Sequence, residues 1–245
     1  MKPCDMEVVV LDNGLRVTLV PCEAQSVAVG IFVESGSRHE TSKTAGISHL
    51  IEHMLFKGTP TRKPVDISRA IEGRGGRVNA CTGEESTCYY AHLPDEYLAE
   101  AVDILSDMYL NALIPEDEFE REKSVVIEEI KMYADEPDQL AAETLQLNLF
   151  PGSQLGQPVA GSEKSLRPMK RQQLLKYISG HYRADNTIVV VVGAFDRNRA
   201  VDEIARRFSP LSRRKAPTRA SAGGFPPPVA HSKIEKEIQK NACFC

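Results

Sequence analysis

The chain has 245 residues, of which 42% are hydrophobic and 26% are charged. These fractions are typical of a folded globular protein, and they exclude disordered, collagen-like and low-complexity chains. Thirty basic and 34 acidic residues give a formal net charge of −4. This balance of charge indicates neither a nucleic-acid partner nor an anionic membrane surface.

The sequence predicts no membrane-spanning or targeting segment. No apolar run approaches the roughly 18 residues of a membrane-spanning helix. Residues 1–10 lack the basic and apolar regions of a signal peptide, and an Arg-rich transit peptide is not expected. We therefore predict a cytoplasmic location, with the mitochondrial matrix or another organelle as the alternative for a mature chain. The six cysteines are expected to be free thiols, because a chain without a signal peptide is expected in a reducing compartment. A cysteine metal site is not expected, because Cys243 and Cys245 are too close together and no second pair has zinc-ribbon spacing.

Strand patterns dominate the start of the chain and return later. Apolar and β-branched runs predict strands at residues 7–11, 15–20 and 27–33, the first two joined by a turn at Asn13-Gly14. Two further short strands are predicted within residues 77–93, on either side of Gly83. Residues 187–192 form a continuous apolar run, which is typical of a buried strand.

Helical patterns lie between and after these strands. Apolar residues spaced by three and four, with Pro at starts and Gly at ends, predict helices at residues 45–56, 64–73, 94–111, 115–134, 171–182 and 198–208. Another helix is predicted from Pro137 until shortly before Phe150. Together the elements predict one α+β domain over residues 1–208. Residues 209–229, rich in Pro, Ser, Arg and Gly, are predicted to be a linker, and residues 230–245 the start of a truncated second domain.

The strongest functional signal is the segment His-Leu-Ile-Glu-His at residues 49–53, inside a predicted helix. Residues i and i+4 lie on one helix face, so His49 and His53 can bind one divalent metal ion together. Glu52 lies on the same side and can accept a proton from a water molecule at the ion, which suits metal-assisted hydrolysis. The alternative for so short a motif is a solvated helix face with two surface histidines.

A second helix carries two carboxylates at helical spacing. The stripe consists of Phe119, Glu122, Val126, Glu129 and Tyr133. Its apolar members predict that it faces the core, where two carboxylates need a compensating partner such as a metal ion with its histidines. Seven residues rise ~10 Å along a helix, so we expect one glutamate to bind the ion and the other to support the site. Alternatively, the stripe is tilted and both acids reach water.

The inverted zinc motif at residues 49–53 lies in a sequence context that resembles the pitrilysin/insulinase metallopeptidases. Within them, the context is most similar to the mitochondrial processing peptidases and their bacterial relatives. The matching segments are residues 46–59, 75–80, 120–123, 128–132 and 161–162. The resemblance extends over nearly all of residues 1–208. It implies a mixed, mainly antiparallel β-sheet packed with helices, as in the N-terminal half of such a peptidase.

The resemblance also implies roles for individual residues. His49, His53 and Glu129 correspond to the ligands of one Zn²⁺ ion per chain. Glu52 corresponds to the general base that activates water. Glu122 corresponds to an upstream acidic residue of the catalytic site that supports it without being the third ligand.

Substrate and partners follow from the same resemblance. Asn79 and Ala80 correspond to the edge strand that pairs with an extended peptide substrate, a mode that depends little on side chains. Family members enclose the substrate between two similar halves. The resemblance therefore implies a second-half or partner peptidase chain, or a homodimer. We predict a zinc metalloendopeptidase acting on extended peptides or presequences.

Two other functions are weighed against this prediction. A non-catalytic assembly subunit, similar to the core proteins of respiratory complexes, would have the same fold, but such proteins typically carry a degraded motif. A metal-dependent lyase can also carry the inverted motif, but those chains resemble this one little elsewhere. Because both histidines, the base and the distal glutamate are all present, the sequence favours the peptidase.

Overall fold

A six-stranded mixed β-sheet organises residues 5–212, the part of the chain that this computed structural model describes. The strands are Glu7–Val10 (β1), Arg16–Pro21 (β2), Ser26–Val33 (β3), Arg77–Thr82 (β4), Thr87–Pro94 (β5) and Thr187–Gly193 (β6). They lie in the order β1-β2-β6-β3-β5-β4, and all neighbours are antiparallel except the parallel pair β2–β6. The expected mixed, mainly antiparallel sheet is therefore confirmed.

Eight α-helices accompany the sheet within residues 5–212. They are Ile47–Leu55 (α1), Pro64–Glu72 (α2), Leu98–Asn111 (α3), Glu116–Ala134 (α4), Pro137–Leu149 (α5), Glu163–Leu166 (α6), Arg171–His181 (α7) and Arg197–Phe208 (α8). Every predicted helix is present, with shifted ends. The short α6 was not predicted, because a single turn has no periodic pattern to detect. In the described part of the chain, every helix is too short or too polar to cross a membrane.

Helices cover one face of the sheet. Alternate residues of β3, such as Val27, Val29 and Ile31, are fully buried on that face. On the opposite face, Phe32 and Val192 remain exposed. This alternation follows from the two-residue period of a strand, which sends successive side chains to opposite faces. It places the core between the sheet and the helices.

β6 is an inner strand of the sheet although it comes late in the chain. It pairs with β2 along one edge and with β3 along the other. Its sequence, Thr-Ile-Val-Val-Val-Val-Gly, is apolar at every inner position, and Val189 and Val191 are fully buried. Burial nevertheless alternates along β6, because its second face carries the exposed Val192, so the continuous apolar run predicts more burial than the strand has.

α1 has one apolar and one polar stripe. Ile47, Leu50, Ile51 and Met54 are fully buried in the core. The histidines and the glutamate at positions 49, 52 and 53 lie between these residues and are only partly buried. Because the apolar stripe packs on the core, the polar stripe is directed towards α4 and β4, which α1 also contacts.

The folded part continues past Phe208, the predicted end of the domain. Leu211 is buried in the core. The side-chain amide of Asn13 donates to the carbonyl oxygens of Phe208 and Leu211, and the N–H of Ala184 donates to the carbonyl of Ser212. Residues 209–212 of the predicted linker therefore pack on the domain. The rest of that linker and the predicted start of a second domain at 230–245 lie outside the described residues.

Candidate metal centre

Three side chains from two helices converge beside the sheet. His49 and His53 come from α1, and Glu129 comes from α4, which packs against it. The Nε2 atoms of His49 and His53 lie 4.0 and 3.6 Å from Oε2 of Glu129. One ligand atom from each residue lies within 4.8 Å of the other two. A single metal ion could therefore be held by all three.

His49 is in the protonation state that binds metals. Burial, assisted by the neighbouring His53 and opposed by Glu129, lowers the pKa of His49 to about 4. The imidazole is therefore neutral near pH 7, and a neutral ring nitrogen carries the lone pair that a metal ion needs. The rings of His49 and His53 meet edge to face, with centroids 4.8 Å apart.

Glu122 contacts the opposite side of the His53 ring. Its Oε2 lies 3.0 Å from Nδ1 of His53, and its other oxygen pairs with Nζ of Lys57. The carboxylate is buried, and these two partners compensate its charge. With Nδ1 of His53 bonded to Glu122, Nε2 is left for the side where Glu129 lies. The two glutamates thus occupy different sides of His53, as the ~10 Å helical rise between them requires.

Glu52 stands beside the histidines on α1. The hydroxyl of Thr82, at the end of β4, donates a hydrogen bond to its Oε2. Burial raises the pKa of Glu52, while this hydrogen bond acts in the opposite direction. The hydroxyl also orients the carboxylate. A carboxylate held at the edge of a metal centre is suited to accept a proton from water.

A cleft of about 400 Å³ opens in front of this cluster. His49, Glu52, His53 and Glu129 all line it, so the side of the cluster where a metal ion could bind is accessible. Glu84 and Glu143 add two more carboxylates to its wall. The rest of the lining consists of Cys81, Thr82, Tyr133, Gln139, Ala142, Gln146, Gly156, Gln157, Pro158, Val159 and Ala160. The described lining contains four carboxylates and no Lys or Arg, so the cleft is acidic.

Asn79 and Ala80 lie on the outermost strand, β4, next to this cleft but not in its wall. The N–H of Gly83 bonds to the carbonyl of Ser86, which makes residues 83 and 86 a hydrogen-bonded pair. Hydrogen-bonded and non-hydrogen-bonded pairs alternate along an antiparallel ladder, so the main-chain groups of Ala80 face away from β5. The N–H of Ala80 donates instead to Oδ1 of Asn79, at 2.9 Å. The outer edge of β4 is thus oriented to receive another strand.

Some residues of the site were not assigned a role from the sequence. The hydroxyl of Tyr133 donates to Oε1 of Glu129 at 2.7 Å, and the i, i+4 spacing on one helix face could have indicated this contact. Thr82 and Glu143 come from β4 and α5, and only the tertiary fold brings them to the cleft. No local pattern signals their position.

The donor set fits zinc. Zn²⁺ in hydrolytic sites takes three protein ligands, often two imidazoles and one carboxylate, and keeps a fourth position open. Here the two imidazole nitrogens and one carboxylate oxygen of His49, His53 and Glu129 lie close together. Their shared side faces the cleft, where a fourth ligand can approach.

Two family profiles match the chain. One is described as Insulinase (Peptidase family M16) and matches residues 16–163, which include every residue of the metal-centre cluster. The other is described as Peptidase M16 inactive domain and matches residues 168–243. The boundary between these matches does not divide two structural units, because β6 lies in one sheet with β2 and β3.

Relatives and solved structures agree with this match. The chain is 41% identical over 182 residues to the uncharacterized zinc protease YmxG of Bacillus subtilis, covering 74% of this chain and 44% of that protein. It is 32% identical over 209 residues to a probable mitochondrial-processing peptidase subunit beta of Arabidopsis thaliana, covering 85% and 39%. The fold is similar to that of a protease from Helicobacter pylori, with a TM-score of 0.83, 24% identity and coverage of 91% and 55%.

The chain spans about half the length of the curated relatives it matches, or somewhat less, and corresponds to their N-terminal half. Several of these relatives are named zinc proteases. The family match over residues 16–163 covers the segment that contains the His49, His53 and Glu129 cluster. The relatives named zinc proteases are consistent with a metal-binding site at this cluster. On this evidence the chain belongs to the insulinase family of peptidases, peptidase family M16.

Proposed function

We propose that this chain is the metal-binding half of a zinc-dependent endopeptidase that hydrolyses extended peptides. The observation that carries the proposal is the convergence of His49, His53 and Glu129 on one accessible point, with Glu52 beside it. Three ligands with an adjacent unliganded carboxylate make up the set that zinc-assisted hydrolysis requires.

Each residue of the cluster has a separate task. A bound zinc ion would polarise the peptide carbonyl and make a water molecule more acidic. Glu52 accepts the proton from that water and returns it to the departing amine. Thr82 holds the Glu52 carboxylate in place. Glu122 orients His53 from the far side of its ring.

The edge of β4 is the proposed substrate-binding strand. The outward main-chain groups of Ala80 would pair with an extended peptide once the Asn79 side chain releases the N–H it now holds. Thr82, at the end of the same strand, contacts Glu52. A peptide paired with β4 would therefore lead its carbonyl groups to the metal centre.

The acidic lining of the cleft supports peptides with basic side chains as substrates. Glu84 and Glu143 line the cleft in addition to the residues of the metal centre, and no Lys or Arg of the described residues lines it. Complementary charge between two binding partners makes the binding more selective and the association faster. Presequences rich in Arg have this charge, and one relative is named as a mitochondrial-processing peptidase subunit.

We also propose that peptide turnover requires a second half. The chain covers only about half of its relatives, and β4 offers one edge for the substrate. Holding a peptide with its carbonyl at the metal can account for several kcal/mol of the barrier. A second-half chain, or another copy of this chain, would supply the opposing wall.

Two substitutions test the proposal. His49→Ala is expected to lose the single bound zinc, measured by metal analysis. Glu52→Gln is expected to keep the zinc and to lose about 10²–10⁴-fold in turnover of a quenched peptide, the usual contribution of a general base. Turnover is measured with the chain paired with a second-half chain. His92→Ala is the matched control, since His92 lies exposed on β5, where its ring hydrogen-bonds to the hydroxyl of Ser26.

The outcomes separate the assignments. Zinc retained in His49→Ala would contradict the ligand assignment. Turnover by Glu52→Gln at the rate of the parent chain would contradict the assignment of the base. Full turnover by the unpaired chain would contradict the need for a second half.

A further inference from the structure

A buried carboxylate outside α1 holds the first turn of this helix. Glu40 follows the 3₁₀ turn Ser37–His39 and is only 4% exposed. Its Oε2 accepts a hydrogen bond from the N–H of Gly46 at 2.7 Å, and its Oε1 accepts one from the N–H of Ser48 at 2.8 Å. Gly46 is the N-cap residue and has no side chain to accept such bonds. Glu40 therefore supplies the cap that Ser, Thr, Asp or Asn normally provides.

A second set of hydrogen bonds holds the same turn from another side. The Ser48 hydroxyl lies 3.1 Å from the hydroxyl of Tyr177 on α7. The hydroxyl of Ser35, in the loop after β3, donates to Tyr177 at 3.0 Å. These groups are buried. The first turn of α1 is thus fixed to the loop after β3 and to α7.

The two hydrogen bonds that Glu40 accepts from the N–H groups of Gly46 and Ser48 require a carboxylate. Burial raises the pKa of Glu40 to about 7, against the hydrogen bonds from Ser48 and Gly46, which lower it. Removing a carboxylate from water is costly, yet only a carboxylate offers two acceptor oxygens to two N–H donors. A glutamine of the same shape offers one acceptor and presents its own NH₂ group to the other donor.

We propose that Glu40 is a positioning residue of the metal centre: by binding the N–H groups of Gly46 and Ser48 it sets the rotation of α1. Ser48 directly precedes His49, and α1 has only nine residues. A change of rotation at the first turn therefore reaches both His49 and His53. The inference rests on the proposed function insofar as these histidines bind zinc.

The test measures metal affinity and ring orientation in folded protein. Glu40→Gln is expected to weaken zinc binding about tenfold in competition with a chelator, the lower end of the range for residues that orient metal ligands. It is also expected to shift the imidazole NMR signals of His49 and His53 in the metal-free chain. A variant with a lower melting temperature, unchanged zinc affinity and unchanged imidazole signals would overturn the proposal.

Glu40→Asp is the milder variant that decides the question if Glu40→Gln fails to fold, because it keeps the carboxylate but shortens its reach to the N–H groups of Gly46 and Ser48 by one CH₂ group. The control is Tyr109→Phe, which removes a buried hydroxyl that bonds to Thr187 away from α1. Shifted histidine signals in Glu40→Asp alone support the proposal, and identical signals in the two variants overturn it. A parent chain that binds no zinc would contradict the proposed function instead, while the NMR signals of the metal-free chain still test Glu40.

Discussion

Removal of the Glu122 carboxylate tests whether this residue supports the metal centre without binding the metal. Its Oε2 lies 3.0 Å from Nδ1 of His53, while Nε2 of the same ring lies 3.6 Å from Glu129. Glu122→Gln keeps an acceptor oxygen for His53 but removes the negative charge. Glu122→Ala removes both, and it leaves Lys57 without this carboxylate partner.

The expected losses follow from these contacts. Substitution of a residue that orients a metal-binding histidine typically weakens metal affinity 10–100-fold, or ~1.4–2.7 kcal/mol. We expect Glu122→Gln near the lower limit and Glu122→Ala near the upper limit. Glu129→Gln removes a charged ligand rather than its support, so its loss should exceed 100-fold, above the usual range for supporting residues.

The assay is zinc competition with a chromophoric chelator, at matched protein folding monitored by circular dichroism. The order of zinc affinity should be parent, Glu122→Gln, Glu122→Ala and then Glu129→Gln. The reverse order for the two glutamine variants would refute the assignment of Glu129 as ligand and Glu122 as support. Equal affinity in all four proteins would refute a metal centre built on these helices.

Two further predictions concern Thr82 and a glycine contact. Thr82→Val removes the hydroxyl that orients Glu52. Turnover by the paired enzyme should therefore fall about tenfold, which is ~1.4 kcal/mol, while zinc affinity stays unchanged. The control is Thr82→Ser, which keeps the hydroxyl, and equal turnover by the two variants would contradict the prediction. Gly161→Ala should lower the free energy of unfolding by about 3 kcal/mol, because φ is +75° and a Cβ would lie 2.5 Å from the carbonyl oxygen of Ala45. The control is Gly152→Ala, because Gly152 has a φ of +73° but open space around it. This substitution should lower the free energy of unfolding by only ~1 kcal/mol, measured by thermal unfolding. Equal losses of stability in the two variants would show that the contact with Ala45 is unimportant.

The elements of the metal centre were predictable because their signals are local. The spacing of His49, Glu52 and His53 follows from one helical turn, and the stripe on α4 placed Glu122 and Glu129 on a core-facing side. The structure brings all five residues together. The helical rise between the two glutamates also indicated that they make different contacts. In the structure, Glu122 contacts Nδ1 of His53, whereas Glu129 lies on the Nε2 side of the same ring.

Other parts of the site depend on contacts between distant segments. Glu40 precedes α1 by several residues and has no motif of its own; its function as a cap becomes visible only when the loop folds back on the helix. Glu143 lies on α5, whose amphipathic pattern is weak, so its position in the cleft could not be deduced. Strand order was also beyond the sequence patterns, since the apolar run of β6 shows burial but not its neighbours.

The late position of β6 in the chain has a consequence for biosynthesis. Until residues 187–193 have emerged from the ribosome, β2 and β3 lack their shared neighbour and expose two rows of unpaired main-chain groups. The helices that carry the proposed metal ligands are translated earlier but pack on a sheet that is still incomplete. A polypeptide ending at residue 163, where the first family match stops, would therefore contain all five metal-centre residues and still be prone to aggregation. The domain should complete its folding only after α8, which follows β6, has been translated and has packed against α3.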